Sequence, residues 1–248
     1  MSLITYFITQ KQEGDYMKIN VLITRQENAD YFHVMKGATV TVDFEEYVAA
    51  VVASEVGNSS IETCKAQAVA ARTLAVSRGV LKGTPISDSS STDQAYRVLR
   101  YNKKVYPNAI EGANQTAGQI LCYKGKPISS VYSACNGGRT VSSEEKWGSV
   151  RPYLTARDDP WDAASGRTKR GHGVGMSQAG AWWAGAHGAT YEDILAFYYP
   201  CAELYINYGE TSILITHTDE IKINAQQLIK LKEQLKTIQE QLQGFLNG

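Results

Sequence analysis

One glutamate of this sequence lies on a helix face where a charge is unfavourable. Residues 43–56 carry apolar side chains at the spacing of one helical face, and Glu55 projects between Val51 and Val52 on that face. Burial disfavours an ionised carboxylate, and so do the free carbonyl groups at a helix C-terminus. Both effects raise the pKa of Glu55, which makes it a candidate general acid. The alternative is a buried glutamate that an Arg or a Lys neutralises.

A second candidate is an arginine on an alanine-rich helix. This helix is predicted from 61 to about 78, with Ser59 as its N-cap residue and Glu62 completing a capping box. Arg72 projects from a face of small residues, and its planar guanidinium suits a carboxylate or an oxygen-rich ligand. Two roles stay open at this point: Arg72 holds a buried acid in place, or it contacts a substrate directly.

Two glycine-containing stretches could bring bare backbone close to a ligand. Residues 133–138 (Ser-Ala-Cys-Asn-Gly-Gly) leave a predicted strand through three turn-forming residues. Residues 171–178 (Gly-His-Gly-Val-Gly-Met-Ser-Gln) surround one histidine with alternate glycines, which predicts a bare backbone surface with an exposed imidazole. The spacing of these glycines and the missing βαβ context exclude a dinucleotide-binding fingerprint.

Cys135 offers a third kind of chemistry. It follows a predicted strand and precedes the turn, where a thiol nucleophile could work with His172. The sequence shows no orienting acid or helix N-terminus beside it. The alternative is a small buried side chain that fills space.

Composition excludes several classes of function. Lys and Arg together number 25, as do Asp and Glu, so the formal net charge is zero and nothing indicates nucleic-acid or membrane-surface binding. No apolar run approaches the ~18 residues of a transmembrane helix. The first residues lack the basic flank and cleavage site of a signal peptide, so a leader has been removed or the export route is not visible. The four cysteines form neither C-x-x-C nor a Cys/His cluster, so no zinc site is expected and no disulfide is inferred.

The candidate residues have to be positioned by a mixture of short helices and strands. Asp43 is predicted to cap the helix of Glu55, and Gly57-Asn58 is predicted to end it. The remaining predicted elements are strands at 18–24 and within 31–42, a short helix within 109–118, a hairpin of 119–123 and 127–132, an irregular loop at 157–168, a helix capped by Ser177 and a helix at 191–199 capped by Thr190.

The C-terminal residues follow a different pattern. Between 221 and 245 the apolar residues alternate spacings of three and four, which gives a heptad seam of about three repeats. This segment is either a short coiled coil that allows self-association or a helix that lies back on the domain. The predicted organisation is a tail (1–16), an α+β domain (17–210) with helices packed on antiparallel strands and hairpins around a central cleft, and a hinge (216–219) followed by the heptad-patterned helix within 211–248.

The ordered motifs resemble those of one family. The segments that carry the resemblance, within 18–208, are 46–55 (Glu-Tyr-Val through Ala-Ser-Glu), 65–73 (Lys-Ala-Gln-Ala-Val-Ala-Ala-Arg-Thr), 132–138 (Tyr-Ser-Ala-Cys-Asn-Gly-Gly), 147–148 (Trp-Gly), 152–154 (Pro-Tyr-Leu) and 171–178. In this order they resemble the stage II sporulation protein D family, also described as the SpoIID/LytB domain.

The resemblance implies a lytic transglycosylase of peptidoglycan, which cleaves the bond between N-acetylmuramic acid and N-acetylglucosamine without water and leaves a 1,6-anhydro product. It implies Glu55 as the catalytic acid and Arg72 and His172 as residues that line the cleft. Further substrate-binding residues are expected at motif positions: Tyr132, Ser133, Asn136, Gly137, Gly138, Trp147, Gly173, Met176, Ser177 and Gln178. The implied partners are peptidoglycan strands, met in an extracytoplasmic, cell-wall or membrane-associated location, in sporulation or other wall remodelling, and no cofactor is expected.

Two departures from the family pattern and one rival function are visible. The segment between Pro-Tyr-Leu and Gly-His-Gly is short, at 162–170, which affects one wall of the cleft. Some members hold zinc through Cys and His near the stretch that matches 87–96, and this chain has neither residue there, so no metal is expected. The family also includes enhancers of cell-wall amidases, so the rival is a non-catalytic glycan-binding module or amidase enhancer.

Overall fold

The computed structural model describes residues 17–208, 211–215 and 221–222. In these residues α-helices combine with small antiparallel and mixed sheets, which confirms the predicted α+β class. The helices are α1 (Gln26–Phe32), α2 (Phe44–Glu55), α3 (Ile61–Ser77), α4 (Pro107–Gln115), α5 (Ser143–Trp147), α6 (Pro160–Ala164), α7 (Gln178–Ala186) and α8 (Tyr191–Tyr198). None of these helices is both long and apolar enough to cross a membrane.

The strands form two larger sheets and two short pairs. The strands are β1 (Lys18–Leu22), β2 (Thr39–Asp43), β3 (Ile86–Ser87), β4 (Gln119–Tyr123), β5 (Lys126–Pro127), β6 (Tyr132–Ser133), β7 (Arg139–Thr140), β8 (Arg157–Asp158), β9 (Met176–Ser177), β10 (Glu203–Tyr208), β11 (Thr211–Ile215) and β12 (Ile221–Lys222). The sheet orders are β2-β1-β3 and β12-β11-β10-β4-β5, with β6 beside β9 and β7 beside β8.

Helix α2 forms as the sequence predicts. The Asp43 side chain accepts a hydrogen bond of 3.0 Å from the Glu46 N–H, so Asp43 is the N-cap residue. The helix ends at Glu55, just before the predicted Gly57-Asn58 stop. The predicted apolar stripe is buried, and so are three alanines outside it. The stripe consists of Phe44, Tyr47, Val48, Val51 and Val52, and the alanines are Ala49, Ala50 and Ala53. The helix is therefore enclosed on more sides than the stripe indicated.

Helix α3 separates two hydrophobic cores, which explains its alanines. Ala68, Ala71 and Ala75 belong to the core built with α2 and β1, whereas Ala66 and Ala70 belong to the core built with α7 and α8. Small side chains on both faces let these elements approach closely. Helix α4 also crosses α3 closely, since a Cβ on Gly112 would lie 2.8 Å from the Cys64 Cβ.

Four predicted boundaries were wrong. Ser60, not Ser59, caps α3, because the Ser59 hydroxyl donates to the Val56 carbonyl instead. Residues 31–32 end helix α1, where the buried Asn28 amide donates to Asp88 at 2.9 Å and fixes the turn. The hairpin of 119–132 keeps only β4 and β5, because Tyr132–Ser133 pairs in parallel with Met176–Ser177. The predicted loop at 157–168 contains α6, which Asp159 caps.

Strand β10 links the C-terminal strands to the domain. It pairs antiparallel with β4 on one side and with β11 on the other. Residues 211–215, which lie beyond the predicted domain boundary at 210, therefore extend this sheet. The predicted hinge at 216–219 and the heptad segment from 223 onward lie outside the described residues.

Arg72 is enclosed by four elements. Only 1% of it is exposed, and its Nε donates to Glu45 Oε1 at 3.0 Å. Its two terminal nitrogens also donate to the carbonyls of Ala113 and Gln119, each at 3.2 Å. These contacts join α2, α3, α4 and β4. The sequence left two roles open for Arg72, and these contacts fit the first: Arg72 holds an acid, Glu45, in place.

We expect Arg72→Met to lower the free energy of unfolding by about 3 kcal/mol, because it removes the cation that pairs with Glu45 and the hydrogen bonds to two carbonyls. Urea unfolding followed by circular dichroism measures this change. Arg78→Met is the control, since the Arg78 side chain is half exposed and pairs with Asp93 at the surface. It should cost less than about 1 kcal/mol. Unchanged stability in Arg72→Met would contradict a structural role.

Candidate functional site

The Glu55 carboxyl lies at the junction of α2, α7 and the segment after β3. Its Oε1 accepts a hydrogen bond of 2.8 Å from the Ala95 N–H, and its Oε2 accepts one of 2.9 Å from the Gln178 side-chain amide. The residue is partly exposed, so the carboxyl is neither sealed in the interior nor free in bulk solvent. Both carboxyl oxygens are therefore oriented by N–H groups.

The electrostatics of Glu55 follow from this environment. Desolvation by burial raises the pKa of Glu55, and the hydrogen bonds from Gln178 and Ala95 oppose that rise without cancelling it. Within the described residues no Lys or Arg forms an ion pair with Glu55, and Arg72 is engaged with Glu45 instead. The neutralised-glutamate alternative therefore does not describe this site.

Gln178 reaches Glu55 because β9 leads directly into α7. Strand β9 pairs in parallel with β6, with Tyr132 opposite Met176 and Ser133 opposite Ser177. Ser177 caps α7 as predicted, its Oγ accepting a 3.1 Å hydrogen bond from the Gly180 N–H. Gln178 is the first residue of this helix, so its direction is set by the strand pairing and the cap.

A set of buried polar side chains lies beneath the carboxyl. The Tyr132 hydroxyl donates to Gln94 Oε1 at 2.7 Å, and the Gln94 amide donates to the Tyr47 hydroxyl at 3.1 Å. Gln94 directly precedes Ala95, so this chain of bonds also fixes the backbone N–H that holds Glu55. Gln67 is fully buried beside Gln178, and its Nε2 has no hydrogen-bond partner among the described residues.

His172 and Trp147 form an aromatic pair near Tyr132. Their ring centroids are 5.5 Å apart, and 46% of Trp147 is exposed. His172 is partly buried, and its Nδ1 accepts a hydrogen bond of 3.0 Å from the Val174 N–H. Desolvation lowers the pKa of His172, against an opposing hydrogen bond with the Tyr132 backbone. The imidazole is therefore neutral at pH 7, with Nδ1 as its hydrogen-bond acceptor.

The turn at 136–138 does not present its N–H groups to a ligand, contrary to the sequence-based expectation. A fully buried carboxylate, Asp162, accepts from the backbone N–H groups of Asn136, Gly137 and Gly138 at 2.8–3.0 Å. It also accepts from the Ser177 hydroxyl. Burial acts to raise the pKa of Asp162, but the hydrogen bonds from Ser177, Asn136 and Gly138 outweigh it and lower that pKa.

The glycines of the 171–178 stretch pack against β6 rather than forming a bare surface. A Cβ on Gly175 would lie 2.1 Å from the Val131 carbonyl oxygen, and one on Gly171 would lie 2.7 Å from the Ser133 Cβ. Gly175 also has a φ of +70°, which only glycine adopts readily. These glycines allow β9 and its flanking turns to lie directly on β6.

Cys135 is buried and engaged in the same cluster. Its Sγ donates to Asp162 Oδ1 and to the Arg167 carbonyl, each at 3.3 Å. Desolvation by burial raises the pKa of the Cys135 thiol. A nucleophilic thiol needs a lowered pKa. Cys135 is therefore better described as a small buried side chain that fills space than as a nucleophile.

The predicted site residues separate into two groups. Five keep some exposure: Glu55, Tyr132, Trp147, His172 and Gln178. The buried group consists of Arg72, Ser133, Asn136, Gly173, Met176 and Ser177. Gly137 and Gly138 keep some exposure, but their N–H groups are occupied by Asp162. The buried group and these two glycines build the support of the site rather than its ligand surface.

Sequence reasoning missed four polar residues that support the site. Asp159 and Asp162 fell within the predicted irregular loop, although Asp159 followed by Pro160 is a helix-start signal. Gln67 and Gln94 carried no signal, because a buried glutamine cannot be told from an exposed one by pattern. No group of three or more His, Cys, Asp or Glu residues in the described ranges is placed to hold a metal ion.

Asp162→Ala should lower the free energy of unfolding by about 3 kcal/mol or more, because three backbone N–H groups and the Ser177 hydroxyl lose their acceptor. In the wild type this contribution is present above about pH 4 and is lost as the pH falls through the lowered pKa of Asp162. Urea unfolding at pH 3 and pH 7 measures both effects. Asp158→Asn, on an exposed neighbour, is the control. Equal stability of the two variants at pH 7 would contradict the role given to Asp162.

Glu55→Gln should remove a pH dependence of stability. Because the pKa of Glu55 is raised in the folded state, the wild type is most stable, relative to the variant, below about pH 4. It loses this relative stability as the pH rises through the folded pKa, by ~1.4 kcal/mol for each pH unit that separates the folded pKa from the unfolded one. Unfolding curves between pH 4 and pH 8 test this, with Glu144→Gln as an exposed control. A difference that stays constant with pH would argue against a raised pKa.

Comparisons with known proteins match the part of the chain that contains Glu55 and Arg72. Residues 35–123 match the family model of the stage II sporulation protein SpoIID. The amidase enhancer of Bacillus subtilis (strain 168) is 34% identical over 134 residues, which cover 51% of this chain and 18% of that protein. Stage II sporulation protein D of the same organism is 34% identical over 144 residues, 52% of this chain and 42% of that protein.

A third relative gives the same result. Stage II sporulation protein D of Bacillus amyloliquefaciens is 35% identical over 143 residues, 50% of this chain and 40% of that protein. The matched segment spans less than half the length of each of these curated relatives. The resemblance seen in the motifs is thus confirmed by independent matches to the SpoIID family model and to relatives named stage II sporulation protein D.

Proposed function

We propose that this protein acts on the cell wall as a lytic transglycosylase, with Glu55 as its general acid and base. The observation that carries the proposal is the environment of the Glu55 carboxyl. Glu55 is partly exposed, forms no ion pair with a Lys or Arg of the described residues, and accepts hydrogen bonds from two N–H donors. A role at the cell wall is supported by the relatives named stage II sporulation protein D and amidase enhancer. A cell-wall substrate makes the location extracytoplasmic.

The reaction needs one carboxyl that serves in both protonation states. Desolvation keeps the proton on Glu55 at a pH where an ordinary glutamate has lost it. Glu55 gives this proton to the oxygen of the leaving N-acetylglucosamine as its bond to C1 of N-acetylmuramic acid breaks. The Gln178 and Ala95 N–H groups then stabilise the carboxylate that remains.

The C6 hydroxyl of the same muramic acid residue closes the ring. Its oxygen attacks C1, and its proton passes to the Glu55 carboxylate, which restores the acid. No water enters, and the product is a 1,6-anhydro sugar. Because the nucleophile belongs to the substrate, a second carboxylate is not required, unlike in the hydrolysis of glycosides. The internal attack also removes the entropic cost of bringing in a separate nucleophile.

An exposed aromatic pair supports the binding of a sugar chain. Trp147 presents an exposed face beside His172. A pyranose ring has apolar faces that pack on such a surface, as in other mostly apolar ligand sites. The neutral His172 ring packs on Trp147 and extends this surface without adding charge.

Glu55→Gln keeps the size of the side chain but cannot supply a proton. We expect it to reduce release of 1,6-anhydro-muropeptides from sacculi by about 10²–10⁴-fold, the usual contribution of general acid–base catalysis. Wild-type activity should fall as the pH rises above the raised pKa of Glu55, because only the protonated form donates. Mass spectrometry of the released fragments measures both. Glu46→Gln, on an exposed residue of α2, is the matched control.

The rival function is supported by the relative named amidase enhancer, and the same assay separates the two. Sacculi are digested with the purified protein alone, with a cell-wall amidase alone, and with both. Anhydro products from the protein alone support the transglycosylase. A faster amidase reaction without anhydro products, unchanged in Glu55→Gln, would instead favour a non-catalytic enhancer.

A further inference from the structure

A cationic surface lies beside the Glu55 site and takes no part in the chemistry proposed above. Between Asp162 and Glu192 the sequence contains no acidic residue. The same stretch contains Arg167, Lys169 and Arg170, which are all exposed. None of these three forms an ion pair within the described residues. On a chain with zero formal net charge, this is a local excess of positive charge.

Arg167 is held in a defined position by a tryptophan. Its guanidinium carbon lies 4.9 Å from the centre of the Trp182 ring, and 38% of Trp182 is exposed. An arginine stacked in this way keeps the N–H groups at its edge free for a bidentate partner. Because the stacked side chain is already restricted, Arg167 loses less conformational entropy on binding than a flexible arginine does. Arg167 is therefore preorganised for a planar anion such as a carboxylate.

Helix α7 connects this arginine to the candidate site. Gln178, which donates to Glu55, and Trp182 are four residues apart on α7. Residues at i and i+4 are neighbours on one helix face, about one 5.4 Å turn apart. Arg167 thus packs on a tryptophan one helical turn from Gln178, the residue of α7 that contacts the Glu55 carboxyl.

Lys169 approaches the other side of the site. Its chain lies along Gly173, since a Cβ there would be 3.7 Å from the Lys169 Nζ. Gly173 directly follows His172, whose ring packs on Trp147. Arg170 follows Lys169 and is fixed by backbone hydrogen bonds to Cys135. Arg167 therefore lies on the Gln178 side, Lys169 lies beside His172 through Gly173, and Arg170 is the next residue along the chain.

We propose that Arg167, stacked on Trp182, forms with Lys169 and Arg170 a subsite for the carboxylates of muramic acid units. This inference rests on the proposed function and adds the feature of the strand that the protein recognises. A polymer of N-acetylglucosamine alone offers no charge to these residues. Every muramic acid unit carries a carboxylate, either free on its lactyl group or on an attached stem peptide. Paired with an arginine fork, such a carboxylate fixes the register of the strand over Glu55.

Binding is measured in the Glu55→Gln background, so that cleavage does not interfere and the result does not depend on catalysis. The ligands are glycan strands stripped of peptides by an amidase, strands that retain their stem peptides, and an uncharged N-acetylglucosamine oligomer. Arg167→Ala should weaken binding of muramic acid strands by about two- to fivefold, as for an exposed ion pair of defined geometry. It should leave binding of the uncharged oligomer unchanged. Lys103→Glu, on an exposed residue outside this surface, is the charge control.

The ligand arms identify the source of the carboxylate. Weaker binding of stripped strands assigns the subsite to the lactyl carboxylate, and weaker binding only of peptide-bearing strands assigns it to the stem peptide. In either case the loss should shrink as salt is raised, because ion pairs at the surface are screened. An equal loss for the uncharged oligomer, or no loss for any strand, overturns the proposal. Arg167→Lys should restore only part of the affinity, because lysine lacks the stacked fork.

Discussion

The hydrogen bond from Gln178 to Glu55 joins the end of α2 to the start of α7, and the candidate site depends on it. These two residues are 123 positions apart in the chain, so the contact exists only in the folded protein. The parallel pair β6–β9 sets where α7 begins, and the Ser177 cap sets its direction. The packing of α2 against α3 fixes the other partner. A change in the β6–β9 pairing or in the packing of α2 on α3 therefore changes the surroundings of the Glu55 carboxyl.

Two carboxyl groups of this region show how environment decides chemistry. Glu55 receives two N–H donors, and desolvation still raises its pKa. Asp162 receives three backbone N–H donors and a hydroxyl, and its pKa is lowered although it is fully buried. The first is suited to hold and release a proton. The second stays ionised and serves as an internal anion that holds the 136–138 turn against the cap of α7.

Glycine has a packing role in this site. In the 171–178 stretch, Gly171 and Gly175 allow the chain to lie on β6 at distances that no side chain permits. In the 136–138 turn, the glycines present N–H groups to Asp162. A glycine-rich motif of this kind indicates close approach of two segments of backbone. Whether the second partner is a ligand or the protein itself is decided by the fold.

Part of this structure follows directly from local sequence. The Asp43 cap, the apolar stripe and the end of α2 placed Glu55 on a buried face, because helix periodicity and capping act over a few residues. The caps at Ser177 and Thr190 were equally local. For Arg72, local sequence allowed two roles and did not choose between them.

Tertiary structure decided the rest, because the deciding partners are distant in sequence. It assigned Arg72 to Glu45 and turned the 136–138 N–H groups toward Asp162. It also split the predicted hairpin so that β6 could pair with β9. The sequence by itself determined that a carboxyl would lie where its charge is unfavourable. Only the fold decided that amide groups rather than a cation would meet it, since pairing across more than a hundred residues leaves no periodic trace.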